Sequence, residues 1–364
     1  MTDRRLLSPL PFRNGARARN RVWLAPMTNS QSHEDGSLSD EELQWLALRA
    51  EGGFGVIETC AAHVALDGKG WTGELGVFDD ALIPGLTRVA AAMRERGAMS
   101  LAQIFHGGAR APSELTGTRP WSASEPPEPH GVDAARAATL EDIARVIAEF
   151  RDGAVRAHQA GFDGVELHGA HGYLLCQFLS RVENRRDDHY GGSLEARARL
   201  MREVTRAVRE AVPSSFLVGV RLSPEDFSHA KGLDLDESLT LAKWLCDDGI
   251  DFLHISLWKA FNNTRKRPDE HPVALFRAAC PAEVQLVVAG SIWTPAEAES
   301  LLAKGADAIA LGRAAIANPD WPARAADPAW EPRRPPLSLE ELRARGLSDV
   351  FAGYMRYWKG FVAD

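Results

Sequence analysis

Short apolar runs alternate along the chain with longer stretches in which apolar residues recur every three or four positions. The runs at residues 22–25, 55–59, 100–105, 164–168, 217–222, 252–256, 285–289 and 308–311 are nearly continuous in apolar residues, the pattern of strands buried on both faces. Helical periodicity and cap signals fill the intervals. Ser39 and Glu42 have capping-box spacing ahead of Leu43, Leu46, Ala47 and Ala50, and Gly52-Gly53 stops that helix. Ile143, Val146, Ile147, Phe150 and Ala154 share one helical face before the fourth strand. Thr294-Pro295-Ala296-Glu297 combines an N-cap, a proline at the first helical position and a glutamate at the third; Gly305 ends the helix.

Eight strands alternating with helices predict an α/β fold of the (β/α)8 TIM-barrel type, a single domain. An open doubly wound sheet with a second domain is the alternative, but no composition shift or linker marks a boundary. Residues 9–20 are expected to form a short hairpin that closes the bottom of the barrel. The longest irregular stretch, residues 107–138, follows the third strand and therefore belongs to the C-terminal face as a lid or pocket wall. Residues 1–335 are assigned to the barrel. Residues 336–364, which carry Tyr354, Tyr357 and Trp358, are expected to form a helical extension packing on the barrel or on a partner subunit.

Composition narrows the function classes. The 364 residues are 45% hydrophobic and 25% charged, enough apolar material for a sizeable core. A net charge of -8 argues against nucleic acid or an acidic membrane surface as partner. No apolar run approaches the roughly 20 residues of a membrane span. The start of the chain, Met1-Thr2-Asp3-Arg4-Arg5-Leu6-Leu7, has no signal-peptide core. Cys60, Cys176, Cys246 and Cys280 are widely spaced and form no CxxC, so no zinc knuckle or iron–sulfur cluster is expected. A reducing cytoplasm fits this usage. Cys60 and Cys176 are expected to be buried and unreactive.

The polar residues gather where strands end. The fourth strand runs into His168, followed by His171 and Tyr173. Two imidazoles and a phenol suit a hydrogen-bonding site for a substrate oxygen, a metal site completed by Glu166 or His106, or a buried network without chemistry. Gly290-Ser291 follows the seventh strand and Gly312-Arg313 the eighth, the places where barrels of this kind often hold a phosphate. Arg221 lies inside an apolar strand, which is costly unless it meets an anion. Residues 68–73 match GxGxxG without the strand–turn–helix context of a dinucleotide site, and read as a glycine-rich loop.

These residues, in this order, resemble the old yellow enzyme family. The resemblance rests on Leu24-Ala25-Pro26-Met27-Thr28, on Gln103-Ile104-Phe105-His106-Gly107-Gly108, and on the segment from Gly161 to Tyr173. It continues through residues 184–193, Val220-Arg221, Ala289-Gly290-Ser291-Ile292 and Leu311-Gly312-Arg313. The family implies a barrel holding FMN non-covalently, reduced by NADH or NADPH, which then reduces an α,β-unsaturated carbonyl compound or a nitroalkene. By resemblance, Pro26, Met27 and Thr28 lie along the flavin and Thr59 gives it a backbone contact. Gln103 meets the pyrimidine edge, and Arg221 sits by N1 and the C2 oxygen. Gly290, Ser291, Gly312 and Arg313 hold the phosphate, His168 and His171 bind the substrate oxygen, and Tyr173 is the proton donor. Residues 184–193 are expected to be structural.

The chain also departs from the family pattern. Thr28 stands where some members have cysteine, and Asn29-Ser30 offers no tyrosine to cover the substrate. Trp258 and Phe261 are therefore expected as the pocket wall. A metal-dependent hydrolase on the same barrel and a flavin-binding protein without turnover are the alternative functions. The C-terminal aromatics are compatible with self-association of the chain.

Overall fold

In the computed structural model, which describes residues 4–125 and 134–363, the eight anticipated strands hydrogen-bond side by side until the last meets the first. They are β1 (Val22–Leu24), β2 (Val56–Glu58), β3 (Met99–Phe105), β4 (Gly164–Gly169), β5 (Leu217–Leu222), β6 (Phe252–Ser256), β7 (Gln285–Ala289) and β8 (Ala308–Leu311). All pairings are parallel, and β8 against β1 closes the ring. The connecting helices are α1 (Asp40–Glu51), α2 (Ile83–Glu95), α3 (Leu140–Gln159), α4 (Leu194–Ala211), α5 (Leu235–Asp247), α6 (Pro272–Ala279), α7 (Pro295–Ala303) and α8 (Arg313–Ala317). The fold is a TIM barrel.

The caps act where the sequence places them, with one change. Thr294 and Glu297 form the full capping box of α7. Ser39 caps α1 by accepting from the Glu42 N–H, but the Glu42 carboxyl does not reach back. It bonds Asn29 and Ser32 instead, so its acceptors serve the loop after β1.

Strand alternation divides the apolar residues into two cores. Val165 and Leu167 of β4, Val218 and Val220 of β5, and Leu253 and Ile255 of β6 face the helices. Trp23, Leu101, Leu217, Phe252 and Val287 face inward and fill the lower barrel. The N-terminal hairpin, Leu10–Pro11 against Arg17–Ala18, adds Leu10, Phe12 and Ala18 to this inner core and plugs its base. Arg13 pins the plug through a 2.7 Å ion pair to the buried carboxylate of Asp251.

The segment after β3 contains a two-residue parallel pairing, Trp121–Ser122 with Arg136–Ala137; residues 126–133 of the expected wall lie outside the described residues. Residues 184–193 form a braced turn. Asn184 donates to the carbonyls of Phe178 and Tyr190, and Arg186 pairs with Asp188 at 2.6 Å. The C-terminal segment folds as Leu339–Ala344, Asp349–Tyr354 and a 3-10 turn at Met355–Tyr357. Phe351 buries its ring edge-on against Trp45 of α1, with centroids 5.3 Å apart. Among the described residues, no helix is long and apolar enough to cross a membrane.

The inner core is filled to the point where one methyl group has no room. Gly219 of β5 pairs in register with Phe252, and a Cβ there would lie 2.1 Å from the phenyl ring. Gly219→Ala is therefore expected to destabilise the protein by about 1–3 kcal/mol, as overpacking does. A chemical denaturation midpoint equal to that of the wild type would contradict this packing.

Candidate active site

The upper barrel begins where the inward positions become polar. Glu166 and His168 on β4, Arg221 on β5, and His254 and Ser256 on β6 continue the inward alternation above the apolar layer. Beyond β4 the backbone turns sharply, with His171 at φ 61°. Ser228 and Ser291, at φ 51° and 53°, also line the cavity above the barrel. Left-handed backbone at non-glycine residues stores strain, and its concentration around one cavity marks a functional site.

The two histidines converge. The N–H of Ala170 donates to His168 Nδ1 at 3.3 Å, so the neutral His168 ring carries its proton on Nε2. His168 Nε2 lies 3.2 Å from His171 Nδ1. On the other side of His171, Nε2 is 2.7 Å from Ser256 Oγ, which accepts from Arg221 Nη2 at 3.1 Å. Arginine can only donate, but the serine oxygen can accept from both Arg221 and His171 Nε2, so in the free site His168 Nε2 donates to His171 Nδ1 and His171 Nε2 donates to Ser256. The two rings converge beside the cavity, and an oxygen that binds there can accept from His168 Nε2 and, once the Ser256 hydrogen turns to His171 Nε2, from His171 Nδ1. Burial pushes both rings well below the ordinary histidine range; for His168 the neighbouring His171 and Arg221 act in the same direction, and for His171 Arg221 and Arg110 do. They are neutral donors.

Tyr173 stands beside this pair at the start of the short helix Leu174–Leu179. Its ring centroid is 4.9 Å from that of His168 and 5.0 Å from that of Phe105. Burial raises its pKa, and the guanidinium of Arg110, 4.4 Å from the ring centroid, pulls the other way.

Beneath the histidines lies a closed polar layer. Glu166 accepts from Gln103 at 2.5 Å and meets His254 Nδ1 at 2.7 Å. Burial opposes the charge of Glu166, but His254 and Arg221 outweigh it and hold the carboxyl below its usual range. Glu58 is driven the other way by burial and by the Glu166 charge, and is a neutral acid. Arg221 is 6% exposed, and its Nε has no partner. Glu166 is thus committed to this layer, and His106 pairs with Asp67 at 3.3 Å. Neither joins His168 and His171 as the metal reading requires.

At the far side, Gly290 admits no side chain, since a Cβ would meet the Leu257 carbonyl at 2.3 Å. Ser291 donates to the Trp258 carbonyl at 2.8 Å and accepts from Arg313 at 3.1 Å. Arg313 also contacts two indole faces, Trp258 at 5.7 Å and Trp358 at 5.1 Å. A cavity of about 340 Å³ over Thr28, His171 and Tyr173 adjoins one of about 210 Å³ over Arg221, Gly290, Ser291 and Gly312. Pro26, Met27 and Arg313 line both.

Most of the anticipated residues thus share one space. His168 stands just behind His171, and Gln103 lies one layer lower, bound to Glu166. Thr59 is fully buried and spends its hydroxyl on the Cys60 carbonyl at 2.7 Å. Trp258 lines the cavity as expected, whereas Phe261 is 40% exposed and lines neither part of it. The cover comes instead from Tyr354 and Trp358 of the C-terminal segment. Arg110 and Ser256 also line it and carry no signal in the sequence beyond their polarity. In the glycine-rich loop, the N–H groups of Gly70 and Trp71 donate to Glu74, so the loop is closed on its own carboxylate. Cys60 and Cys176 are buried thiols whose pKa values burial raises, the second to about 12.

Residues 5–329 match the model of the NADH:flavin oxidoreductase / NADH oxidase family. A probable NADH-dependent flavin oxidoreductase of Bacillus subtilis is 37% identical over 322 residues, 87% of this chain and 86% of that protein. An NADPH dehydrogenase of Bacillus licheniformis is 35% identical over 329 residues, 90% of this chain and 95% of its own. The solved structure of an old yellow enzyme homologue from Zymomonas mobilis superposes with a TM-score of 0.82 at 30% identity, covering 95% of this chain and 99% of that one.

The Ser256 bridge makes a measurable difference. Ser256→Ala leaves His171 Nε2 without the hydroxyl that lets Nδ1 carry the proton, and affinity for a phenol, an oxygen ligand, is expected to fall about tenfold, the cost of one buried hydrogen bond. Because both imidazoles titrate below the ordinary range, phenol affinity should show no histidine inflection between about pH 6 and 8. An inflection there, or unchanged affinity in the variant, would contradict the role of the two neutral imidazoles and of Ser256.

Proposed function

The chain belongs to the NADH:flavin oxidoreductase / NADH oxidase family, the old yellow enzymes, and from that premise we propose that it is an FMN-dependent ene-reductase. It takes hydride from NADH or NADPH and reduces the C=C bond of α,β-unsaturated carbonyl or nitro compounds. The observation that carries this reading is the convergence of the two imidazoles beside Tyr173 and above Arg221.

The residues fit FMN. The unpartnered Nε of buried Arg221 is a donor awaiting an acceptor, and suits the N1 and C2-oxygen edge of the flavin. Gly290 lets the backbone pass close to the Leu257 carbonyl, and Arg313 would supply donors for a phosphate beside Gly290, Ser291 and Gly312. Pro26, Met27 and Thr28 form the wall along the ring between these two ends. Thr59 would give the ring a backbone contact, and Gln103, whose Nε2 is held by Glu166, would meet the pyrimidine edge. When bound, FMN supplies the hydride chemistry, accepting hydride from the nicotinamide and returning it to the substrate's β-carbon.

The chain's own residues do the rest. His168 and His171 hold the activating oxygen between two neutral donors. As the β-carbon gains hydride, negative charge develops on that oxygen, and the preorganised donors stabilise it without surrendering their protons. Tyr173 then delivers its proton to the α-carbon. Its raised pKa keeps it protonated at neutral pH and ready to act as the acid. The aromatic cover of Tyr354 and Trp358 limits water around the reacting atoms.

The purified protein is expected to be yellow, to bleach with NADH or NADPH, and to regain its colour without oxygen when cyclohexenone is added. Tyr173→Phe should slow the recovery by about 100-fold or more while bleaching survives, because general acid catalysis contributes that much. A colourless protein carrying stoichiometric zinc would overturn the flavin reading, and bleaching without enone-driven recovery would leave a flavin-binding protein.

A further inference from the structure

The cation lying on Tyr173 has no role in the mechanism as stated. Arg110 ends the 3-10 turn Gly108–Arg110 in the irregular segment after β3. Its Nη1 donates to the His171 carbonyl at 2.8 Å, and its Cζ lies 4.4 Å from the Tyr173 ring centroid. Among the described residues it makes no ion pair, and no residue lining the cavity it enters is acidic. A half-buried guanidinium with no counter-charge costs stability, so what it faces should explain it.

We propose that Arg110 is a positioning residue for proton transfer, placed to stabilise the tyrosinate that Tyr173 becomes in each turnover. The inference rests on the ene-reductase reading above. In the step concerned, the Tyr173 O–H bond breaks and a C–H bond forms at the substrate's α-carbon. The phenolic oxygen keeps the electron pair and the negative charge, which delocalises over the ring that Arg110 covers. A proton from water later restores the phenol, and no redox change occurs in either event.

The surroundings leave this task to Arg110 alone. The other titratable groups facing Tyr173 are Glu74, Tyr354, Cys60, His168 and His171. The histidines are neutral, and Glu74 already accepts from the N–H groups of Gly70 and Trp71 and lies 2.9 Å from His63. Without the arginine, an anion would form in a buried site lined by the Phe105 and Trp71 rings. The His171 carbonyl holds Nη1 and keeps the guanidinium against the face of the tyrosine ring. Enones with and without a carboxylate separate this role from substrate recognition.

The test is anaerobic stopped-flow of the NADH-reduced holoenzyme mixed with cyclohexenone, across pH, for the wild type, Arg110→Gln, Arg110→Lys, Tyr173→Phe and the Arg110→Gln/Tyr173→Phe double variant. One opposite charge at this range is worth a factor of about 10–100, so Arg110→Gln should slow reoxidation by that amount while bleaching by NADH stays near the wild-type rate. Its alkaline limb should move to higher pH, because Tyr173 loses the cation that favours its ionised form. Arg110→Lys should recover part of the rate, and the double variant should be no slower than Tyr173→Phe. Additive losses in the double variant, an unmoved alkaline limb, or a loss confined to carboxylate-bearing enones would overturn the proposal. Bound flavin reports that each variant is folded; if the glutamine variant fails to hold it, a lysine variant with wild-type rate and pH profile supports the charge role and one as slow as Tyr173→Phe overturns it. A wild-type enzyme that no enone reoxidises would instead defeat the ene-reductase reading, and this one with it.

Discussion

A single guanidinium inside a closed barrel is the constraint around which the rest of this protein is arranged. Arg221 projects inward from a central strand and is 6% exposed. Burial pulls its pKa down, and the Glu166 carboxylate opposes that pull. An uncompensated charge in such a place costs on the order of several kcal/mol. Glu166 supplies the compensation one layer below, and His254 and Gln103 hold that carboxylate in place. A second buried carboxylate would leave the layer with excess negative charge, so Glu58 keeps its proton. Above, Ser256 takes one arginine N–H and passes the orientation on to His171. The charge that suits a flavin thereby also reaches His171 through one serine.

The barrel interior is consequently a stack of unlike layers. The bottom is apolar, built from Trp23, Leu101, Leu217 and Phe252 and plugged by the hairpin. The middle is the buried polar layer of Glu58, Gln103, Glu166 and His254. The top carries His168, Arg221 and Ser256 and opens to the cavity. Period-two alternation along eight parallel strands produces this order, since each strand contributes inward residues at successive heights. The apolar layer gives rigidity below, and the strained turns at His171 and Ser291 exploit it above.

The sequence made the framework legible because parallel strands buried on both faces are apolar runs, and because serine, threonine, glycine and proline punctuate the helices between them. His168, Arg221, Gly290 and Arg313 were visible for a related reason: each stands where an apolar run ends or is interrupted. Arg110 was not, since it lies in an irregular segment where no periodicity assigns a direction. Ser256 is small and closes a strand in an unremarkable way; its role exists only through neighbours on β4 and β5. Tyr354 and Trp358 were noticed as aromatic, but their place over Thr28 and Arg313 depends on contacts spanning most of the chain. Glu58 and His254 could have been found by continuing inward alternation across β2 and β6. Phe261 was misplaced because aromatic character after a strand does not show which way the loop turns.

The account stands on Arg221 serving the flavin, and the reduction potential of the bound flavin tests that most directly. A positive charge beside the N1 and C2-oxygen edge stabilises the anionic reduced form. The potential of Arg221→Gln should therefore be clearly lower than that of the wild type, with Arg221→Lys in between. An unchanged potential in a glutamine variant that holds its flavin would contradict the account, because the buried charge would then exist for the barrel alone.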